Sequence, residues 1–261
     1  MIARPVGARG EPMLELRDVS REFGGVRAVE DVSFSMEEGA AVGIIGPNGA
    51  GKSTVLSMMA GSVRPSGGEI LFCGQRITGL RSDAVARRGI VRTFQVSAEF
   101  TGLTVMQNLL VAAPEQRGES VLGALLGRRY WGGAEESSIR RAYGLLEQFR
   151  MVDVLDEYAG NLSGGQRRLL EVMRAMMTNA RVLLLDEPTA GVHPNMVGEL
   201  CRQLEGLKAA GLTVLMVEHE MGIVGALCDR VIVMARGRVI AEGSLQEVRR
   251  NPEVMEAYVA G

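Results

Sequence analysis

"AAVGIIGPNGAGKSTVLSMMAG", residues 40–61, decides how the rest of the chain must be arranged. It opens with a continuous apolar run, Ala40 to Gly46, of the kind that forms a parallel strand buried on both faces. From Gly46 to Ser53 it then fills the phosphate-loop pattern G-x-x-x-x-G-K-[ST] without a mismatch. Gly46, Gly49 and Gly51 lack a Cβ, so backbone N–H groups can curl around phosphate oxygens. Pro47, Asn48 and Ala50 complete the loop, and "KSTVLSMMAG" reads as a helix closed by Gly61. The start of that helix, Lys52 to Thr54, adds unpaired N–H groups and a positive dipole end. Lys52 suits the β- and γ-phosphate oxygens, and the Ser53 hydroxyl suits Mg²⁺. Lys52 and Lys208 are the only lysines, the other basic residues being arginines. A lysine kept here points to a compact ammonium rather than a planar fork. A chance glycine-rich turn does not explain a full match directly after a buried strand.

Outward from this unit, strand and helix signals alternate. "MLELRDVS" and "AVEDVSFSM" alternate apolar and polar residues, as half-exposed strands do. "GEILFCGQRI" predicts a hairpin turning at Gly74 and Gln75, and "VIVMARGRVIAEG" one turning at Arg236-Gly237. "RVLLLDE" and "LTVLMVEH" predict further buried strands. Between about Val96 and Thr178 helical periods take over, in "TVMQNLLVAA", "SSIRRAYGLLEQF" and "QRRLLEVMRAMM". "QRGESVLGALLGRRYWGG", rich in Gly and Arg, reads as a surface excursion among them. The expected fold is α/β: a phosphate-loop core with a mostly parallel sheet, an antiparallel β-subdomain and an inserted helical subdomain. The expected boundaries are a flexible tail over 1–12, the core with its β-subdomain over 13–95 and 179–261, and the helical subdomain over 96–178.

Two further stretches carry chemistry. "VLLLDEP" ends an apolar strand in Asp186, placing a carboxylate at the sheet edge where α/β proteins bind ligands. Asp186 suits Mg²⁺, directly or through water. Glu187 points to the strand's other side, where it suits polarising a water for in-line attack on phosphorus. Two solvated carboxylates at a strand end would be the bland alternative, and the phosphate loop outweighs it. "NLSGGQRRLLEVMRAMM" is a second glycine turn opening onto a helix. Ser163, Gly164, Gly165 and Gln166 form either an N-capped start or an anion seat. That seat has no lysine and no metal carboxylate of its own.

"GPNGAGKST", Gln95, "LSGGQ", "VLLLDEP" and "VEH", in this order over nearly the whole chain, resemble the ATP-binding subunit of an ABC transporter. The resemblance implies ATP and Mg²⁺ as cofactors, with ATP hydrolysis as the activity. It implies that the signature turn of a second ATPase subunit, the same chain or a related one, closes over each nucleotide. It assigns Gln95 to Mg²⁺ and the attacking water, His219 to the γ-phosphate, and Phe23 to stacking on adenine. For Phe23 the alternative is a loop aromatic packed on the sheet. His193, in "TAGVHP", departs from the aspartate usual at that turn, and reads as a core or surface histidine, with an inter-subunit loop residue as the alternative, and not as a catalytic one.

"RTFQ" with "LTVMQNLLVAA", "VEHEM", "CDRVIVMARGRVIAEG" and "EVRRNPEVMEAYVAG" resemble the ATPases of branched-chain amino-acid importers. Relatives of that group serving urea, short amides or lipopolysaccharide export stay open as alternatives. The resemblance implies two membrane permease subunits, an extracytoplasmic solute-binding protein, and a peripheral place on the cytoplasmic face of the membrane. A net charge of −2 and the lack of a basic stripe argue against nucleic acid as a partner. A soluble ATP-driven switch would bring tandem cassettes or long coiled coils, and neither is present. A phosphate-loop kinase leaves "LSGGQ" and His219 unexplained. The first residues have no apolar core of a signal peptide, and no apolar run approaches the roughly 20 residues a spanning helix needs. Cys73, Cys201 and Cys228 have no metal-ligand spacing and read as reduced thiols.

Overall fold

The computed structural model describes residues 12–93, 100–113, 128–178, 180–192 and 194–259. The chain divides into two compact units. The first comprises 1–92, 181–188 and 204–261, and the second 93–180 and 189–203. Residues 189–203, which the sequence reading gives to the core, thus group with the second unit. The tail expected over 1–12 lies, apart from Pro12, outside the described residues.

The first unit holds two sheets. Strands β1 (Leu14–Phe23), β2 (Val26–Met36), β4 (Gly67–Phe72) and β5 (Gln75–Arg76) form an antiparallel sheet in the order β2-β1-β4-β5. Leu14, Leu16 and Val19 of β1 face inward, and the alternation breaks where the register with β2 shifts between Leu16 and Val19. The second sheet contains β3 (Ala41–Ile45), β6 (Ile90–Arg92), β7 (Val182–Asp186), β8 (Thr213–Val217), β9 (Arg230–Ala235) and β10 (Arg238–Gly243). Its order is β10-β9-β3-β8-β7-β6, parallel except where β10 folds back on β9. Every residue of β3, β7 and β8 is buried, which is why their sequences are apolar runs rather than alternations.

Helices cover this sheet on both faces. Ile44 of β3 joins a core with Val55, Leu56 and Met59 of α1 (Lys52–Met59), which extends to Leu14 and Met36 of the antiparallel sheet. Its neighbour Ile45 points the other way. There it meets Val224 of α7 (Met221–Leu227), Val248 of α8 (Leu245–Arg250) and Val254 of α9 (Pro252–Val259). Also in this unit, α2 (Ser82–Arg87) precedes β6. No helix among the described residues is long and apolar enough to cross a membrane.

The second unit is helical. It contains α3 (Val105–Val111), α4 (Arg128–Gln148), α5 (Gly164–Met177) and the first part of α6 (Pro194–Ala209). The first three of these pack on one another, and Val105, Leu109, Leu145, Leu146, Leu169, Leu170 and Met173 are buried there.

Two local expectations need correction. The first hairpin turns at Cys73-Gly74, one residue earlier than expected, because Phe72 pairs with Gln75. Both turn residues have positive φ (49° and 71°), a pairing that matches strand twist and places the glycine second rather than first. Residues 128–133 of the expected excursion belong to α4, continuing the helical period of "SSIRRAYGLLEQF" despite Gly132 and Gly133. The rest of that stretch, 116–127, lies outside the described residues. The turn at Arg236-Gly237 forms where expected, with φ of 48° and 82°.

Candidate nucleotide site

Strand β3 ends at Ile45, and the chain turns at once through Gly46 into α1. Gly46 has φ 148°, and a Cβ there would stand 2.0 Å from the Met234 carbonyl oxygen of β9. Gly51 caps α1 at φ 96°, with a would-be Cβ 2.4 Å from the Ala28 oxygen. Only glycine fits either position, so the loop's curl is fixed by the backbones pressed against it. The Ala50 carbonyl accepts from the Gly237 N–H at 3.1 Å, tying the loop to the β9–β10 turn. No side chain caps α1, so its first-turn amides are left to the loop's concave side. Lys52 is buried, and its ammonium donates to the Gly46 and Pro47 carbonyls at 2.8 and 2.9 Å. Burial lowers the Lys52 pKa, while the charges of Glu187 and Asp186 act to raise it. Asn48 and Gly49 are exposed at the loop's tip.

Asp186, at the end of β7, is fully buried. The Ser53 hydroxyl donates to its Oδ1 at 3.2 Å, so the two residues expected to share a metal already touch. Its Oδ2 accepts from Arg92 Nη2 at 2.7 Å, an ion pair with the arginine side chain only 15% exposed. Arg92 Nη1 also donates to Ser57 Oγ at 2.8 Å, and the Ser57 hydroxyl donates to the Ser53 carbonyl at 2.6 Å. Sequence reading missed Arg92. Its strand, β6, has only three residues, too few to show a period.

These oxygens suit Mg²⁺, which is bound by one or two carboxylates together with substrate phosphates and water rather than by an all-protein cage. Among the described residues, no group of three or more His, Cys, Asp or Glu side chains is placed to hold a metal.

Glu187 follows Asp186 with φ 48°, a left-handed conformation unusual for a glutamate. Its N–H donates to the Val217 carbonyl at 2.9 Å, which fixes it across the end of β8. The side chain emerges 30% exposed, and Oε1 stands 2.9 Å from Nε2 of His219. Lys52, Ser53, Asp186, Glu187 and His219 are thus gathered at the carboxyl edge of one parallel sheet, the edge where such sheets bind ligands.

Phe23 ends β1 with its ring 44% exposed and the Arg21 guanidinium 4.3 Å from the ring centroid. It is not packed into the core. Gln95 and His193 lie outside the described residues.

In the second unit, Ser163 caps α5. Its hydroxyl accepts from the Gln166 N–H at 3.3 Å, and its own N–H donates to Gln166 Oε1 at 3.0 Å. The N-cap reading of this turn is therefore realised, with Gly164 and Gly165 between the two partners. A hydroxyl that accepts one bond keeps its proton to donate elsewhere, so the cap leaves the anion reading chemically open. None of the three cysteines is in a disulfide.

Comparison with known proteins places this arrangement. Residues 29–190 match the ABC transporter family, and residues 238–259 match the family described as branched-chain amino acid ATP-binding cassette transporter. A protein of Archaeoglobus fulgidus described as a probable branched-chain amino acid transport ATP-binding protein, LivG, is 40% identical over 247 residues, covering 95% of each chain. The solved structure of the ADP conformation of MJ1267, an ATP-binding cassette of an ABC transporter, aligns with a TM-score of 0.82 at 35% identity. It covers 96% of this chain and 100% of that one. The dimeric post-hydrolysis structure of the cassette MJ0796 with ADP and Pi aligns at TM-score 0.74 and 25% identity, over 89% and 99% of the two chains. The chain belongs to the ABC transporter family and is one of its ATP-binding, ATP-hydrolysing subunits.

Proposed function

We propose that this chain powers the import of branched-chain amino acids, by hydrolysing ATP in a site that a companion subunit completes. The observation that carries the hydrolytic part is the convergence of Lys52, Ser53, Asp186, Glu187 and His219 at one sheet edge, with Glu187 held in a left-handed backbone. The loop from Gly46 to Thr54 wraps the phosphates of ATP, and Phe23 offers its open face to adenine. Ser53 and Asp186 would hold Mg²⁺, with Gln95 as a further ligand. The ion, when bound, neutralises charge on the phosphates. Glu187 accepts a proton from the attacking water, and His219 and Gln95 meet the γ-phosphate and that water.

Ser163, Gly164, Gly165 and Gln166 serve the nucleotide of the companion. The Ser163 proton and the glycine amides are the donors a γ-phosphate would take. ATP then favours the closed pair and its products do not, and a ligand shifts such an equilibrium only by its difference in affinity for the two states. The dimeric MJ0796 cassette supports the pairing.

The cargo reading rests on the match at residues 238–259 and on the LivG relative. It brings two permease subunits and a solute-binding protein as partners, with the chain peripheral at the cytoplasmic face. The stretch 100–104 is a suitable docking surface for a permease. Buried Asn108 accepts from the Phe100 N–H at 3.0 Å and donates to the Phe100, Leu103 and Thr104 carbonyls, holding Phe100 48% exposed. Reconstitution with its permeases and binding protein tests the cargo. Leucine, isoleucine or valine should stimulate ATP turnover, and stimulation by urea or short amides instead would reassign the substrate.

A further inference from the structure

We propose that Arg92 is a stand-in cation for the metal seat, a positioning residue that neutralises Asp186 until Mg²⁺ arrives with the nucleotide. The inference rests on the reading of Ser53 and Asp186 as the metal's ligands.

Asp186 has no exposed surface, and a buried carboxylate needs a countercharge. Arg92 supplies it, and the geometry divides the carboxylate in two. Oδ2 belongs to Arg92 at 2.7 Å, while Oδ1 faces the Ser53 hydroxyl at 3.2 Å. The arginine thereby turns one oxygen toward the phosphate loop and keeps the other. Its second nitrogen, on Ser57 Oγ, continues through the Ser57 hydroxyl to the Ser53 carbonyl. One guanidinium thus reaches both prospective ligands, Asp186 directly and Ser53 through Ser57.

Two consequences follow from charge alone. With Arg92 in place, a nucleotide lacking Mg²⁺ does not meet an uncompensated Asp186 beside its phosphates. Without Arg92, the carboxylate loses the guanidinium that bonds its Oδ2, and more of its charge falls to the metal, so the nucleotide should depend on Mg²⁺ more steeply. Arg92 is also the last residue of the first unit, with the second beginning at Thr93.

The test is the ratio of two dissociation constants for a fluorescent ATP analogue, one in EDTA and one in excess Mg²⁺. It is measured on the full chain as wild type, Arg92→Gln and Arg92→Lys, each checked for a cooperative melt. Arg92→Gln should raise the ratio tenfold or more, chiefly by weakening binding in EDTA. Arg92→Lys, which keeps the charge, should bring it back to within about threefold of wild type. A purely structural salt bridge would lower both affinities together, so an unchanged ratio in Arg92→Gln overturns the proposal. A lysine variant with the same raised ratio as the glutamine variant also overturns it, since charge would not then be the cause. Should Arg92→Gln fail to fold, Arg92→Met, which also removes the charge, is read by the same ratio, and an unchanged ratio there overturns the proposal. If wild type itself shows no Mg²⁺ dependence, it is the metal reading of Ser53 and Asp186 that fails.

Discussion

Glu187 and His219 bind each other: Oε1 of the glutamate and Nε2 of the histidine stand 2.9 Å apart, at the ends of adjacent parallel strands. With the carboxylate accepting, the donor is the His219 Nε2–H, and that proton is engaged on Glu187. Glu187→Gln keeps the shape and removes the base. Turnover should fall by roughly 10²–10⁴-fold, the usual worth of a positioned general base. ATP affinity should stay near wild type, with closed dimers accumulating on size-exclusion chromatography. Wild-type turnover in this variant would remove Glu187 from the role.

Lys52 already spends its ammonium on two loop carbonyls, at 2.8 and 2.9 Å. A nucleotide must take it from them, which reduces its net worth. Charge-assisted hydrogen bonds contribute about 1.5–3 kcal/mol, so Lys52→Ala should weaken ATP binding at least roughly tenfold. Titration with a fluorescent analogue reads this directly.

Phe23 has one face under Arg21, 4.3 Å from its centroid, and a ring 44% exposed. Base–aromatic stacking is worth about 1–3 kcal/mol. Phe23→Ala should therefore raise the Kd for ATP by roughly 5- to 150-fold. Phe23→Trp should preserve it, and competition between ATP and inorganic triphosphate separates loss of stacking from loss of the loop. Equal losses for both ligands would contradict the adenine role.

Burial, helped by the neighbouring Asp229 charge, pushes the Cys228 thiol up to about 12. At pH 8 its thiolate fraction is then on the order of 10⁻⁴. Alkylation by iodoacetamide followed by mass spectrometry should find Cys228 unmodified in the native protein and modified once it is unfolded. Rapid native labelling would show that this end of α7 opens readily.

Much of this site is legible in the sequence because its chemistry is local. A buried strand, a glycine loop and a helix start occur in one continuous stretch, and "VLLLDEP" carries its carboxylates at the end of its own strand. The parallel sheet is legible for the same reason, since strands buried on both faces must be apolar throughout. What is not legible depends on contact between distant residues. Arg92 sits on a three-residue strand, and its meaning appears only when β6 pairs with β7 and brings it to Asp186. The Cys73-Gly74 turn is set by the pairing of Phe72 with Gln75, not by composition. The pairing of Glu187 with His219 likewise needs the strand order.

The central claim is that one chain carries a phosphate loop without its lid, and that a companion's Ser163 turn supplies it. Its most direct measurement is ATP turnover per subunit across a dilution series, for wild type and for Ser163→Arg, with the monomer fraction followed by light scattering. Specific activity should fall as the monomer fraction rises, and Ser163→Arg should suppress turnover while ATP still binds. Undiminished turnover by a fully monomeric chain, unaffected by Ser163→Arg, would contradict it.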